Sequence, residues 1–346
     1  MSHIEPPFDL DALKQVSASI GSDRFLVQAA GGNTSIKHNN IMWIKASGTQ
    51  LAQALDKEIF VAVDLAAMAY DINHQPLKAD EPYRYSCDKG GLRPSIETSL
   101  HAVFSQRVVL HAHCVNTIAY AVLKDAEAVL AKLLHGFDWA FVPYSKPGAN
   151  LARSVKAALQ PQTNVIILVN HGVLVTGNTV AEAHDLLLKV QAALTVQLPL
   201  HQQADCAVLR ICAGDDYVVL DADDPVHQVA FSKARIGHAL GGSLYPDHVT
   251  FCGIGAHALS KGETAESYCA KIKEHPLLII VPDSGVLMRK GFSPANLALA
   301  RCLSDVLLRV PEQATLSYLT NAQNHELINW DAETYRQKLN NPQNIA

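Results

Sequence analysis

Apolar residues recur at helical spacing from the start of the chain. Leu10, Leu13, Val16 and Ile20 share one face of a helix predicted over the first ~20 residues, with Gly21 placed to stop it. An extended segment at 25–27 then leads into "AAGGNTSIK", a glycine-rich turn followed by a short strand. The run 41–49, "IMWIKASGT", reads as β structure broken at Ser47-Gly48, and 59–65 as a further strand. At 94–105 the pattern returns to helix. Ser95 is positioned to cap it, and Ile96, Leu100, Val103 and Phe104 form its apolar stripe. Glu97 and His101 fall off that stripe, one turn apart, so the pattern gives neither a reason to be buried.

The strand "RVVLHAH" comes next, followed by a helix predicted across 115–134 and a second apolar run at 164–172, "NVIILVNHG". Thr179 and Glu182 form a capping-box pattern that opens a helix to about residue 198. Periodicity weakens over 200–215, which suits a linker. Beyond it the pattern predicts strands at 217–220, 248–252 and 277–281 and helices at 226–240 and 294–310. These make a second α/β unit of roughly 130 residues, an ordinary domain size. The division expected is therefore 1–210 and 211–346. No internal repeat and no low-complexity tract stands out.

Composition narrows the functional classes. The chain has 346 residues, 49% of them hydrophobic, and a net charge of −5 with both signs mixed, so it lacks the basic footprint of a nucleic-acid binder. No apolar run reaches the ~18 residues of a membrane span. The N-terminal "MSHIEPPFDLD" has neither the basic nor the apolar region of a signal peptide, and a cytoplasmic location is expected. Seven scattered cysteines without a CxxC pair fit reduced thiols rather than a zinc ribbon or disulfide framework.

The candidate chemistry lies at strand ends. His111 and His113 alternate on one strand, which puts both imidazoles on the same face. His171 closes the second apolar run. Three neutral imidazoles converging from two strand ends suit Zn²⁺ with one position left over, although by ligand type alone Mn²⁺, Fe²⁺ or Co²⁺ fit as well. Glu97 could occupy that remaining position or act as a base; by itself it is equally a helix-start carboxylate facing solvent. The turns at Gly31-Gly32-Asn33-Thr34-Ser35 and Ser47-Gly48-Thr49 could hold a phosphate or carboxylate, or be ordinary turns. A GxGxxA match at 253–258 is a decoy, since Gly262 interrupts the helix it should open.

Four segments, "GGNTSIK" (31–37), "IKASGT" (44–49), "PSIETSLHAVFSQRVVLHAH" (94–113) and "NVIILVNHGVLVTGN" (164–178), together resemble the class II aldolase/adducin family over roughly residues 10–200. With "PYSKPG" at 143–148, the wording is most similar to the aldolase half of bifunctional rhamnulose-phosphate aldolase/dehydrogenase proteins, whose dehydrogenase half has no counterpart here.

The resemblance implies an α/β, three-layer fold with a central, mainly antiparallel sheet between helices, plus a smaller C-terminal α/β extension. It implies a homo-oligomer, a tetramer in the family. His111, His113 and His171 match the family's zinc ligands, and Glu97 matches its catalytic acid/base, which also visits the metal. Gly32, Asn33, Ser47, Gly48 and Ser95 match positions that hold substrate phosphate. Ile96 stands where fuculose-phosphate aldolases have a second serine, with Lys45 or Arg93 available to compensate. Tyr144 is the nearest counterpart of the family's tyrosine proton donor.

The implied activity is cleavage or formation of a C–C bond in a ketose or ketose phosphate through a metal-stabilised enediolate. The same scaffold also carries decarboxylases and epimerases of sugar acids and sugar phosphates. Adducin-like members, a further alternative, are non-catalytic binding modules.

Overall fold

The alternating segments of the first half assemble into one seven-stranded sheet. Its strands are β1 (Asn33–His38), β2 (Ile41–Lys45), β3 (Phe60–Asp64), β4 (Val108–Ala112), β5 (Trp139–Val142), β6 (Val165–Leu168) and β7 (Gly172–Gly177). The computed structural model describes residues 5–88 and 91–328. It divides into two units, Met1–Thr117 with Glu127–Thr195, and Ile118–Ala126 with Val196–Ala346.

The strand order is β3-β2-β1-β4-β7-β6-β5. Only the β5–β6 pair is parallel, so the sheet is mixed and mainly antiparallel, as the resemblance implies. Helices α1 (Leu10–Ser22), α2 (Leu65–His74), α3 (Thr98–Ala102), α6 (Ala149–Ala158) and α7 (Val180–Ala193) flank it, while α4 (Val115–Ala121) and α5 (Ala126–Leu133) follow β4 along the chain. One apolar cluster packs Met42, Ile44, Val61 and Val63 against Met68 and Ile72 of α2. Another packs Val109, Ile166, Leu168 and Leu174 against Leu100, Phe104 and Val155. Burial of each such side chain is worth about 1.5–3 kcal/mol, and this second cluster fixes the strand ends that carry the histidines. The expected capping box is present: Thr179 Oγ1 accepts from the Glu182 N–H at 3.2 Å, and Glu182 Oε2 accepts from the Thr179 N–H at 3.3 Å.

Several expectations are corrected. Residues 25–27 form a turn rather than a strand, and Gly21 lies inside α1 instead of ending it. The helix expected over 94–105 is only Thr98–Ala102, because Pro94 is drawn into a β-bridge with Ala46. The 115–134 helix breaks into α4 and α5.

In the second unit, 206–213 is a helix, α8 (Cys206–Ala213), where a linker was expected; Asp205 caps it through the Ala207 and Val208 N–H groups. The 226–240 helix splits into a 3₁₀ segment, Pro225–Phe231, and α9 (Lys233–Leu240), which Ser232 caps. Residues 248–252 lie in a helix, α10 (Pro246–Cys252), not a strand. Proline at its first turn and Gly253 at φ 93° beyond its end set the limits. The decoy glycines thus follow a helix, without the strand a dinucleotide fingerprint needs. This unit also holds β8 (Tyr217–Val219), α11 (Ala265–Ile272), β9 (Leu278–Val281), β10 (Gly285–Arg289), α12 (Pro294–Arg309) and α13 (Asn321–Ile328), with sheet order β8-β10-β9. Its core comprises Leu209, Tyr217, Leu259, Ile279 and Leu287. Among the described residues, no helix is long and apolar enough to cross a membrane, and all seven cysteines are free.

Candidate metal centre

Strand alternation places His111 on the same face of β4 as Val109, and His113 follows just past the strand end. His171 comes from the turn between β6 and β7. Asn170 adopts a left-handed conformation there, φ 55°. Gly172 permits the close approach of this turn to β4: a Cβ at that position would lie 2.4 Å from the Ala112 carbonyl oxygen. Glu97 immediately precedes α3, where its N–H donates to Ser95 Oγ at 3.2 Å, and the Ser95 N–H donates to the Lys45 carbonyl at 3.2 Å. Three separate backbone devices therefore aim four side chains at one point.

The four meet there. His111 Nε2 lies 3.2 Å from His113 Nε2 and 3.4 Å from His171 Nε2. Glu97 Oε1 is 3.2 Å from His111 Nε2 and 3.5 Å from His171 Nε2. All four ligand atoms fall within 4.8 Å of one another, and all four residues are buried. A tetrahedral ion with ligands at about 2.0–2.1 Å requires neighbouring ligand atoms about 3.3 Å apart, so the observed spacing fits one. Three imidazoles and a carboxylate buried around one point are the donor set that a cation between them would satisfy. His111 Nδ1 lies 3.0 Å from the Val173 carbonyl oxygen, to which it can only donate. That bond fixes the tautomer and leaves the Nε2 lone pair directed at the centre.

Burial tends to raise the Glu97 pKa, but the charge and N–H donors of His111 and then His171, when those rings carry a proton toward it, outweigh burial and hold the carboxyl well below its usual range. The group is a carboxylate. Its second oxygen, Oε2, faces the Asn33 amide at 3.5 Å. Asn33 in turn lies directly across β1–β4 from His111.

Two buried polar residues take roles that the sequence pattern did not give them. His101, expected to need no burial, is fully buried like Glu97, and its Nδ1 shares a 2.8 Å hydrogen bond with Ser35 Oγ. The i, i+4 spacing of Glu97 and His101 was the available signal. Lys45 donates to the Ala30 carbonyl at 3.0 Å and the Thr49 carbonyl at 2.9 Å. Its ammonium ties the two Gly/Ser turns together, a structural commitment that competes with the compensating anion contact expected of it.

The turns carrying Gly32, Asn33, Ser47 and Gly48 are joined by this contact, with Gly32 and Gly48 both at positive φ. Ser95 is buried, while Arg93 is exposed and accepts from the Ser47 N–H through its carbonyl at 2.8 Å. Tyr144 stands half-buried in the loop between β5 and α6.

Burial lowers the His171 imidazole from 6.5 to about 4 and that of His101 from 6.5 to about 3. Both stay neutral in the fold at pH values where the unfolded chain binds the proton. Their contribution to stability is complete above about pH 6.5 and is lost as pH falls through the folded values. Each group contributes a slope of up to about 1.4 kcal/mol per pH unit in that window. Metal-free protein is therefore expected to be less stable at pH 5 than at pH 7, with buried His248, lowered from 6.5 to about 4, adding to the same loss, measured as the shift in urea midpoint. Equal midpoints would contradict the burial of neutral imidazoles.

Comparison with known proteins places the first unit in a family. Residues 13–198 match the family model described as the class II aldolase and adducin N-terminal domain. An uncharacterized oxidoreductase, YuxG, of Bacillus subtilis (strain 168) is 29% identical over 188 residues; the match covers 50% of this chain and 27% of that protein's length. An L-fuculose phosphate aldolase of Methanococcus maripaludis (strain C5) is 27% identical over 176 residues, covering 47% of this chain and 81% of that one. The N-terminal class II aldolase domain of a conserved protein from Thermoplasma acidophilum aligns with a TM-score of 0.50 and 25% identity, covering 56% of this chain and 95% of that structure.

Proposed function

This chain belongs to the class II aldolase and adducin N-terminal domain family, and we propose that it is a metal-dependent lyase that cleaves or forms a C–C bond in a ketose or ketose phosphate. The observation that carries the proposal is the convergence of Glu97, His111, His113 and His171 in one buried cluster. An adducin-like binding module has no use for four buried ligand groups. Zn²⁺ is the cation proposed, on the ligand types and the tetrahedral spacing.

In this reading His111, His113 and His171 hold the cation, which supplies Lewis-acid stabilisation to negative charge developing on substrate oxygens. Glu97 is both a resting ligand and the proton carrier. As a carboxylate it can accept the proton that is exchanged at the substrate carbon, and the Asn33 amide at Oε2 orients it for that task. Tyr144 is proposed as the group that moves the proton on the aldehyde oxygen. Gly32, Asn33, Ser47, Gly48 and Ser95 are proposed to hold the substrate's anionic end.

A cavity of about 660 Å³ lined by Arg84, Arg93 and Pro94 lies next to Ser95 in sequence. Arg93 is proposed to contribute to holding a phosphorylated end where Ile96 removes a serine; within this cavity the Arg84 guanidinium is already paired with Glu81. A homotetramer in the cytoplasm is part of the same proposal.

Ile96 also favours a second reading, a decarboxylase or epimerase acting on a sugar acid or sugar phosphate. The metal-loaded protein should be offered a panel of ketose 1-phosphates, fuculose 1-phosphate among them, together with free ketoses and 3-oxo sugar acids. The lyase reading expects aldehyde and no CO₂. Release of CO₂ without aldehyde, or inversion at a carbon without cleavage, would overturn it in favour of the decarboxylase or the epimerase.

A further inference from the structure

The hairpin that carries His171 has a counterpart in the C-terminal unit. Residues 165–174, "VIILVNHGVL", align without a gap to 278–287, "LIIVPDSGVL". The pairing registers coincide: Leu168 faces Gly172 and Ile166 faces Leu174 in β6–β7, while Val281 faces Gly285 and Ile279 faces Leu287 in β9–β10. Both turns hold a non-glycine residue in the left-handed region, Asn170 at φ 55° and Asp283 at φ 60°. Both hairpins lead into a helix opened by a capping box, from Thr179 in one and Ser293 in the other.

The likeness extends outward from the hairpin. β7 pairs antiparallel with β4, and β10 pairs antiparallel with β8. β6 pairs parallel with β5, while Ile280 of β9 makes a parallel bridge to Ala258. Helices stand at corresponding points: α3 and α8 before the first strand, α4 and the 3₁₀ segment after it, α6 and α11 before the hairpin. The first helix of each set is preceded by an acid, Glu97 and Asp205.

We infer that the C-terminal unit is a second copy of the site-bearing half of the first, a metal-site framework whose ligands have been exchanged. Register identifies the exchanged positions. Leu174 faces His111, and its counterpart Leu287 faces Val219. Two residues further on, Asp221 takes the place of His113. Ser284 takes the place of His171.

The histidine under this turn, His227, is spent on backbone: Nδ1 accepts from the Val286 N–H at 3.0 Å and Nε2 donates to the Asp221 carbonyl at 3.1 Å. A Cβ on Gly285 would lie 2.8 Å from that ring, so the imidazole fills the space under the turn. His111 differs in the feature that counts. One of its nitrogens meets backbone and the other points at its partners.

The inference takes His111, His113 and His171 as the metal ligands of the first unit, and its test separates the two claims. Val219→His with Ser284→His, beside the resident Asp221, would restore a two-histidine, one-carboxylate set. Co²⁺ titration of the full chain, followed by visible absorption, should show one more equivalent in this variant than in the unmodified chain. The same gain is expected in a His111→Ala background, whatever the first unit binds. Ser284→His alone, which keeps the Val219 packing, should give a weaker gain. Folded variants with no added equivalent in either background would overturn the repeat. Absence of the first equivalent from chains that keep His111, or its retention in the His111→Ala background, would count against the first site and not the second.

Discussion

Glu97→Gln is expected to lower C–C cleavage by about 10³-fold, within the 10²–10⁴ range of general acid–base catalysis, while the protein keeps its cation. Glutamine preserves the shape and one neutral oxygen for the imidazoles, and three histidines suffice to hold a tetrahedral ion. What it removes is the only buried carboxylate in the cluster. The loss should fall on kcat, since the Gly/Ser turns that would bind substrate are left unchanged, and exchange of the substrate's carbon-bound proton with solvent deuterium should vanish with it. Turnover within a few-fold of the unmodified chain would remove Glu97 from the proton-transfer role. Loss of the metal along with activity would make it a structural ligand instead.

The legible part of the site was the part set by strand alternation. His111 and His113 are two apart at the end of a strand, and His113, one residue past β4, still follows the alternation that the strand sets. His171 could be read from the "NHG" that ends an apolar run, because Gly172 is needed for the approach to Ala112. Glu97 depended on the family resemblance, since its spacing from the histidines fixes nothing.

Short segments were the illegible part. The stripe Ile96, Leu100, Val103 and Phe104 fits a long helix, but a bridge from Ala46 to Pro94 captures the start and leaves only Thr98–Ala102. The run 248–252 carries too few residues to separate a helical period from alternation, and the flanking proline and glycine decide it. His101 and Lys45 sit where tertiary contacts pull polar groups inward, which periodicity does not encode. The repeat was hidden for a related reason: packing residues such as Ile279, Gly285 and Leu287 keep their places, while the residues with recognisable chemistry are the ones exchanged.

His111→Ala is expected to have the largest effect, loss of both the cation and all cleavage. His111 is the hub of the cluster, with Nε2 within 3.5 Å of ligand atoms from His113, His171 and Glu97. Removing it leaves a buried void and a carboxylate facing two remaining imidazoles. Large-to-small truncation with lost hydrogen bonds costs about 2–5 kcal/mol, so the melting temperature must be recorded alongside activity to show that the variant is folded.

The central claim is tested most directly by the metal content of the purified unmodified chain and of folded Glu97→Gln and His111→Ala, measured by inductively coupled plasma mass spectrometry. The account predicts one divalent transition-metal ion per chain in the first two and essentially none in the third. An unmodified chain that binds no such ion when reconstituted, or a His111→Ala variant that retains it in full, would contradict the assignment of this cluster as the metal centre.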